Sequence, residues 1–445
     1  MDKKVKIISM SGMPVSGKST VIKSMIKKYE ENGYLKENIH VFSVGKRFRD
    51  YFNKVIELAG NLDNEEVTNR LAQDKDMKRI FTNGQFRKQL ETTITKLKQS
   101  GYSFEDYDIE KANNSEELAE IRAIVDNIVD NDMKELGEEI LKENNENEVW
   151  IMDSRLAFSN IPESFAVRLT VRDDIAAKRL VNDDKRGKED NNYKSVEEAK
   201  MKIQERKKGE EERYKEVYDI DLSNPDNYNL IIDTSYANID EIADTIISEE
   251  KSYREQGYCA NFWMSPKQIL PTQKIGETLD RDGYGGGSID SIKESIKQNG
   301  FDRRFWIETF EYEGRTYMID GHHRLYALAE TGNTLIPYYN MEMSEFEKRL
   351  RSREMTLDML AIYKNCYKKK DSLGNLVLDD FDYEDIYPGI IEIATENYCE
   401  ERYTKQWIRM LKEQGREKEY LDHIEKLKVM CGMKNKNIDE LGERE

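Results

Sequence analysis

Residues 5–20 have the sequence VKIISMSGMPVSGKST. They open with a short apolar run, and residues 12–19 then fit the pattern G-x-x-x-x-G-K-[ST] at every fixed position. Residues 20–29 follow with the spacing of a helix. A glycine-rich turn between a strand and a helix lets backbone N–H groups close around a phosphate, which the helix N-terminus also attracts. The stretch therefore predicts a phosphate-binding loop at the edge of an α/β sheet.

The residues of this loop have separate predicted roles. Lys18 is expected to reach the β- and γ-phosphates of ATP, and the Ser19 hydroxyl is expected to ligate Mg²⁺, a cation that prefers oxygen ligands. The glycines allow the chain to approach the phosphates closely. The predicted nucleotide-binding set is Gly12, Ser16, Gly17, Lys18, Ser19 and Thr20. The predicted cofactors are ATP and Mg²⁺.

Five short apolar runs divide residues 1–250, and most of them are followed by a helical pattern. They are 5–10, 41–44, 149–152, 167–171 and 230–232. Parallel strands that crossover helices bury on both faces have this pattern. We therefore predict an α/β fold with a doubly wound, parallel, five-stranded sheet for residues 1–250. Two additions interrupt it, a helical insert at about 60–145 and a charged lid at about 182–218.

The third apolar run ends in a polar tip, Asp153-Ser154-Arg155. The carboxyl ends of parallel strands share one edge of the sheet, so this tip should lie beside the phosphate loop. Arg155 offers a guanidinium fork for an acceptor phosphate, and Asp153 offers an oxygen for a magnesium-bound water. The alternative is a capped strand with an ordinary surface arginine.

The charged lid supplies further arginines. Arg206 and Arg213 are seven residues apart, which places them two turns apart on one helix face. Arg179 and Arg186 precede them. Guanidinium groups that close over the phosphates would exclude water and neutralise charge during phosphoryl transfer. The alternative for any one of these arginines is a salt bridge with the neighbouring glutamates.

Five segments resemble the cytidylate kinase family, and in particular its short, archaeal-like branch. They are GMPVSGKST, FSVGKRFRD, VWIMDSRLAF, IPESFAVRLTVRDDIAAKRL and QERKKGEEERYKEVYDIDLSNPDNYNLIIDTS. Their order and spacing match over roughly residues 3–248. The resemblance implies an ATP-dependent P-loop kinase that phosphorylates a nucleoside monophosphate, CMP or dCMP. It also implies catalytic, phosphate-contacting roles for Lys18, Arg155, Arg206 and Arg213.

The same resemblance bears on the acceptor side of the site. Arg47 and Arg49 would face the acceptor nucleotide, beside Asp153 and Arg155. The insert at about 60–145 is longer than the compact acceptor-binding segment of the family. A kinase that acts on a modified base or on another small hydroxyl acceptor therefore stays open as an alternative.

Residues 318–329, MIDGHHRLYALA, form a second informative stretch. A strand ends, a glycine turns the chain, and a helix starts at a His-His-Arg cluster, which makes a candidate anion site. The residues of this candidate second site are Asp320, Gly321, His322, His323 and Arg324. Adjacent histidines do not have the helix-face spacing of a zinc site. Residues 258–341 are predicted to form a smaller α+β domain.

This second stretch resembles the ParB/sulfiredoxin-like fold, in which the corresponding box binds nucleotide phosphates. The DGHHR form is similar to the kinase-like members, where an upstream acidic residue acts as a base, and Glu277 is the match here. Sulfiredoxin needs a cysteine in the region where His322 stands, so that activity is not expected. A purely structural turn, or a domain that only builds an oligomer, stays open as the alternative.

Length and charge set the remaining expectations. The 445 residues are enough for two or three domains, and residues 342–445 have the composition of a helical C-terminal region. The formal net charge of −18 disfavours nucleic acid as a partner, because phosphate neutralisation needs concentrated Lys and Arg. Nucleotide substrates are the predicted partners. A nucleotide-gated protein that binds nucleic acid or a protein partner is the non-enzymatic alternative.

The cellular context follows from cysteine usage and hydropathy. The four cysteines have no C-x-x-C spacing, which suits a reducing compartment. No apolar stretch is long enough for a signal peptide or a membrane span. We therefore expect a soluble cytoplasmic protein that does not bind membranes, with its oligomeric state left open.

Overall fold

The chain divides into two units. The first contains residues 1–235 and 239–261, and the second contains residues 236–238 and 262–445. The computed structural model describes residues 5–61, 63–74, 84–104, 115–182, 195–270, 289–301, 307–312 and 315–342, with the single residues 193, 344, 345, 348 and 415.

The first unit is built on five parallel strands. They are β1 (Lys6–Gly12), β2 (Ile39–Ser43), β3 (Val149–Asp153), β4 (Phe165–Thr170) and β5 (Leu230–Asp233), in the spatial order β2-β3-β1-β4-β5. Every neighbouring pair is parallel, as crossover helices require. The predicted α/β class is confirmed, and each strand lies on one of the five apolar runs.

Nine helices of the first unit lie in its described part. They are α1 (Lys18–Glu31), α2 (Val44–Asn61), α3 (Asn64–Gln73), α4 (Gly84–Gln99), α5 (Ala119–Glu143), α6 (Ala157–Asn160), α7 (Asp173–Val181), α8 (Val196–Tyr218) and α9 (Ile239–Gln256). Short 3₁₀ turns occupy Lys36–Asn38, Glu116–Leu118 and Pro225–Asn227. In the described residues, no helix combines the length and the apolar character that a membrane crossing needs.

Helices cover the sheet because its strands are apolar on both faces. One core cluster joins α5 and α6 to β1, β2 and β3, and its members are Val5, Ile7, Phe42, Met133, Ile140, Met152, Ala157 and Ile161. Helices α1 and α9 pack against each other and contact β1 and β5, respectively. Hydrogen bonds from Ser24 to Asp240 (2.6 Å) and from Lys28 to Asp244 (2.7 Å) join these two helices.

The insert between β2 and β3 has a core of its own. Helices α2 to α5 bury an aliphatic and aromatic cluster that includes Phe52, Ile56, Leu71, Leu90 and Ile94. The apolar stripe of α5 is part of it, because Ile121, Val125, Ile128 and Val129 are fully buried. Each such aliphatic side chain contributes roughly 1.5–3 kcal/mol relative to the exposed state. The insert is therefore a packed helical subdomain rather than an extended loop.

Residues 196–218 of the lid stretch form one long helix. Helix α8 runs for 23 residues and buries only Ala199 and Ile203. Its N-terminus is capped by the Ser195 side chain, which accepts a hydrogen bond from the backbone N–H of Glu198 (3.1 Å). It ends where Asp219 takes a left-handed backbone conformation with φ 53°.

The second unit contains a mixed sheet and two helices in its described part. The strands are β6 (Phe262–Met264), β7 (Ile269–Leu270), β8 (Ile307–Tyr312), β9 (Arg315–Asp320) and β10 (Ile336–Asn340), in the order β6-β10-β8-β9-β7. The helices are α10 (Ile289–Asn299) and α11 (His322–Glu330). Strand β7 has two residues, too few for a periodic pattern to predict. Residues 349–414 and 416–445 lie outside the described residues, and the ParB-like assignment stays a prediction.

A close contact between α5 and the segment after α6 generates a stability prediction. A Cβ atom on Gly137 would lie 2.6 Å from Cγ1 of Ile161, whereas a Cβ on Gly209 of α8 would meet nothing within 4 Å. Gly137→Ala should lower the free energy of unfolding by about 1–3 kcal/mol through overpacking. Gly209→Ala should raise it by roughly 0.5–1 kcal/mol through helix propensity. Denaturant unfolding of both variants tests this, and an unchanged or raised stability of Gly137→Ala would contradict the packing.

Candidate functional site

The loop between β1 and α1 is a tight turn that places α1 directly after the strand. Gly17 and Val15 have left-handed backbones, with φ values of 84° and 61°. A Cβ atom on Gly12 would lie 2.8 Å from the Ser16 Oγ and 3.3 Å from the Leu169 carbonyl oxygen. A side chain at position 12 would therefore crowd Ser16 and Leu169, and the left-handed φ angle of Gly17 favours glycine there.

Lys18 contacts the end of the neighbouring strand. Its Nζ lies 2.6 Å from Oδ1 of Asp153, and both side chains are largely covered. The other carboxylate oxygen of Asp153 accepts a hydrogen bond from Ser43 Oγ at 2.9 Å. Parallel pairing of β1, β2 and β3 brings these groups together, because it aligns the carboxyl ends of the strands. A carboxylate thus occupies the contact that a phosphate oxygen would make with Lys18.

A large cleft opens in front of the loop, with a volume of about 1260 Å³. This exceeds the roughly 300–1,000 Å³ that is usual for one drug-sized ligand, so the cleft has room for more than one. The loop, the start of α2, the end of β3, one face of α5 and one face of α8 form its walls. The predicted site residues that line it are Gly12, Ser16, Gly17, Lys18, Ser19, Arg49, Asp153, Arg155, Arg206 and Arg213.

Two residues of the predicted nucleotide and acceptor sites, Thr20 and Arg47, are not among those that line the cleft. Thr20 is exposed on the first turn of α1, where its N–H donates to the Gly17 carbonyl at 2.9 Å. Arg47 stacks on Phe42, with 4.3 Å from guanidinium carbon to ring centroid, and pairs with the buried Asp132 at 3.1 Å. Arg47 therefore ties α2 to α5. Residues two apart on a helix differ by about 200° in direction, so Arg47 and Arg49 point to opposite sides of α2.

One carboxylate joins two of the predicted arginines. Arg155 Nη1 lies 2.5 Å from one oxygen of Glu210, and Arg206 Nε donates to the other oxygen at 3.1 Å. Glu210 is 22% exposed, so this contact is only partly screened by water. The arrangement holds the end of β3 against the lid helix α8. Both guanidinium groups are thereby occupied by a negative charge of the protein itself.

Helix α5 adds acidic groups to the cleft. Arg213 donates to Asp126, and the Tyr218 hydroxyl donates to Asp130 at 2.9 Å. Burial raises the pKa of Asp126 above its usual value, although the charge of Arg213 acts against this. Burial also raises the pKa of Asp130, opposed by the hydrogen bond from Tyr218. The lid helix is therefore linked to the insert through two partly desolvated carboxyl groups.

These groups of α5 were not identified from the sequence. Arg122, Asp126, Asn127 and Asp130 all line the cleft. Three of them recur at steps of four residues beside the apolar stripe of the helix, so they form one polar face. The sequence shows this spacing, but a polar helix face that lines a cleft has the same spacing as one that faces solvent.

Arg179 and Arg186 are the other two arginines that were predicted to belong to the lid. Arg179 packs behind the phosphate loop, where its Nη2 donates to the Thr234 carbonyl at 2.5 Å. Arg186 lies outside the described residues.

In the second unit, the predicted strand, turn and helix are present around Gly321. β9 ends at Asp320, Gly321 has φ 100°, and α11 begins at His322. Arg324 Nη2 lies 2.9 Å from Oδ2 of Asp320, within the same turn. His323 is half-buried next to them, and Glu277 lies outside the described residues. The role of these residues as an anion site stays a prediction.

Comparisons with known proteins support the kinase-like character of the first unit. Residues 58–236 match the model of the Cytidylate kinase-like family. The match covers less than half of the chain. It begins after residues 12–19, so the glycine pattern of the loop is an observation independent of it. Over 102 residues, 23% of this chain, the sequence is 32% identical to a cytidylate kinase of Methanosphaera stadtmanae, of which the match covers 54%.

Two further proteins are similar to parts of the chain. Over 115 residues, 25% of this chain, the sequence is 34% identical to an S-adenosylmethionine-dependent nucleotide dehydratase of Lacinutrix mariniflava, and the match covers 22% of that protein. A crystal structure of an uncharacterized protein from Eubacterium ventriosum aligns with 56% of this chain and 98% of its own, at 15% identity and a TM-score of 0.29. The chain thus spans about half of the length of the cytidylate kinase and about a fifth of the length of the dehydratase.

The bridging role of Glu210 generates a binding prediction. Glu210→Gln should bind inorganic pyrophosphate about 3- to 10-fold more tightly than the wild type, because a competing charge on two arginines is removed. Glu212→Gln is the matched control, since Glu212 is 62% exposed and lies 3.8 Å from Lys208. Calorimetric titration measures both affinities. Equal or weaker binding by Glu210→Gln would show that Glu210 does not compete with anions.

Proposed function

We propose that the first unit is a nucleotide kinase that moves the γ-phosphoryl group of ATP to a nucleoside monophosphate, CMP or dCMP. The observation that carries the proposal is the convergence of Lys18, Arg155, Arg206 and Arg213 on one cleft with the glycine-rich loop. Phosphoryl transfer depends mainly on positioning two phosphate chains and on positive charge around the transferring group. The match to the Cytidylate kinase-like family supports the same class of reaction.

The triphosphate of ATP would lie on the loop of residues 12–19. The Lys18 amine would leave Asp153 and bind the β- and γ-phosphates, which carry more negative charge than a single carboxylate. Two hard oxygen donors in the cleft, the Ser19 hydroxyl and the Asp153 carboxylate, fit a Mg²⁺ ion. That ion neutralises charge on the β- and γ-phosphates when it is bound with ATP.

The acceptor phosphate would lie between Arg155 and the lid helix. Its oxygen attacks the γ-phosphorus, and the bond from that phosphorus to the bridging oxygen breaks to release ADP. A monophosphate has a second pKa near 6, so its oxygen is already ionised at neutral pH and needs no general base. Arg155 and Arg206 would leave Glu210 to hold this phosphate, with Arg213 nearby on the same helix face.

A second acceptor class has support from the insert. Asp126, Asn127 and Asp130 present polar groups to the same cleft. A modified base or a small hydroxyl acceptor would find hydrogen-bond partners there. A panel of candidate acceptors is therefore needed to identify the acceptor.

The test is transfer of the labelled γ-phosphoryl group of ATP to CMP, dCMP, UMP, AMP, GMP and the corresponding nucleosides. We expect label on CMP or dCMP with the wild type. Lys18→Ala should lose transfer by about 100-fold or more, because it removes a charge from the transition state. Lys27→Ala is the control, since Lys27 is 76% exposed in the same helix.

The possible outcomes of this assay are distinct. Label on a nucleoside hydroxyl alone would replace the monophosphate acceptor with the second class. Undiminished transfer by Lys18→Ala, or no labelled product with any acceptor, would overturn the kinase proposal.

A further inference from the structure

The phosphate loop is held from behind by the last turn of α7. Arg179 donates to the Thr234 carbonyl (2.5 Å), the Ser235 carbonyl (3.2 Å) and the Val15 carbonyl (3.4 Å). Its Nη1 also lies 3.2 Å from the Thr234 hydroxyl oxygen. One guanidinium therefore joins the loop to the segment that follows β5. These four partners are neutral oxygens, and three of them are backbone carbonyls. Burial lowers the pKa of the Arg179 guanidinium, although the nearby charge of Asp233 favours its charged form.

Thr234 makes the second contact with the loop. Its side chain is 2% exposed, and its hydroxyl oxygen lies 2.9 Å from the Ser16 carbonyl and 3.0 Å from the Thr170 carbonyl. The single hydroxyl proton serves one of these at a time, while the same oxygen accepts from Arg179. The backbone N–H of Thr234 donates to the Thr170 carbonyl at 2.9 Å, which fixes the segment to β4.

The held carbonyls determine where the loop N–H groups point. In a trans peptide the C=O and the N–H point in opposite directions. A Ser16 carbonyl held by Thr234 therefore directs the N–H of Gly17 away from Thr234, and Gly17 lines the cleft. Val15 has a left-handed φ of 61°, which is unfavourable for a β-branched residue and persists only with support from its surroundings. Arg179 supplies that support at the Val15 carbonyl.

We propose that Arg179 and Thr234 are positioning residues that hold the loop in its phosphate-binding form before ATP arrives. The inference rests on the proposed function, since it assigns the loop to ATP. Because the two side chains hold the loop and the segment after β5, and make no hydrogen bond or ion pair with Arg155 or with the described lid helix α8, their loss weakens ATP binding and leaves acceptor binding unchanged. Neither side chain touches the phosphates in this account.

The test compares Thr234→Val with Thr234→Ser. Valine keeps the shape of the side chain and loses the hydroxyl, whereas serine keeps the hydroxyl. Thr234→Val should raise the Kd and the KM for Mg·ATP about tenfold, as expected for a lost positioning contact. Thr234→Ser should stay within about twofold of the wild type, and the KM for CMP should not change in either variant. Calorimetry, steady-state kinetics and Tm are measured for both.

Arg179→Lys provides a second variant if Thr234→Val does not fold. Lysine keeps the charge and loses the planar fork, so its Kd for Mg·ATP should also rise while the KM for CMP stays constant. An unchanged Kd for Mg·ATP in these variants would overturn the inference, and so would an equal change in both KM values. Absence of Mg·ATP binding to the wild type would instead overturn the proposed function, and the positioning role with it.

Discussion

The parallel pairing of β1 with β3 is the constraint on which the site depends. It sets Met10 opposite Asp153 and so brings the Lys18 amine to 2.6 Å from a carboxylate. Arg155 lies at the same edge of the sheet, two residues after Asp153. Because the sheet fixes these groups, the loop and the Arg155 side of the cleft have a defined separation that no surface loop would provide.

Four of the cations that line the cleft are paired with carboxylates of the protein in this structure. The pairs are Lys18 with Asp153, Arg155 and Arg206 with Glu210, and Arg213 with Asp126. A phosphate ligand that binds these four cations must displace carboxylates, so its affinity is a difference between two sets of charge-assisted contacts. Two or more phosphates in line can satisfy several guanidinium groups together, which single carboxylates cannot. The acidic net charge of −18 is therefore compatible with a local anion site.

Local patterns predicted the sheet and the loop, and long-range contacts decided the rest. The five apolar runs and the glycine spacing of residues 12–19 each carry their information within a few residues. Asp126 and Glu210 could not be singled out, because 36% of the chain is charged and a cleft wall has the composition of a solvated face. Arg47 and Arg49 lie two residues apart on α2, and the sequence does not show which of them faces the cleft, because that depends on where α2 begins. Arg179 was grouped with the lid, yet α7 places it behind the loop.

A crystal structure of the full chain with ATP and CMP joined through a shared phosphate chain tests the central claim most directly. We expect the phosphates to lie on residues 12–19, with the Lys18 amine moved from Asp153 to a phosphate oxygen and Arg155 released from Glu210. A structure in which the joined nucleotides bind elsewhere, with the contact between Lys18 and Asp153 intact, would contradict the account.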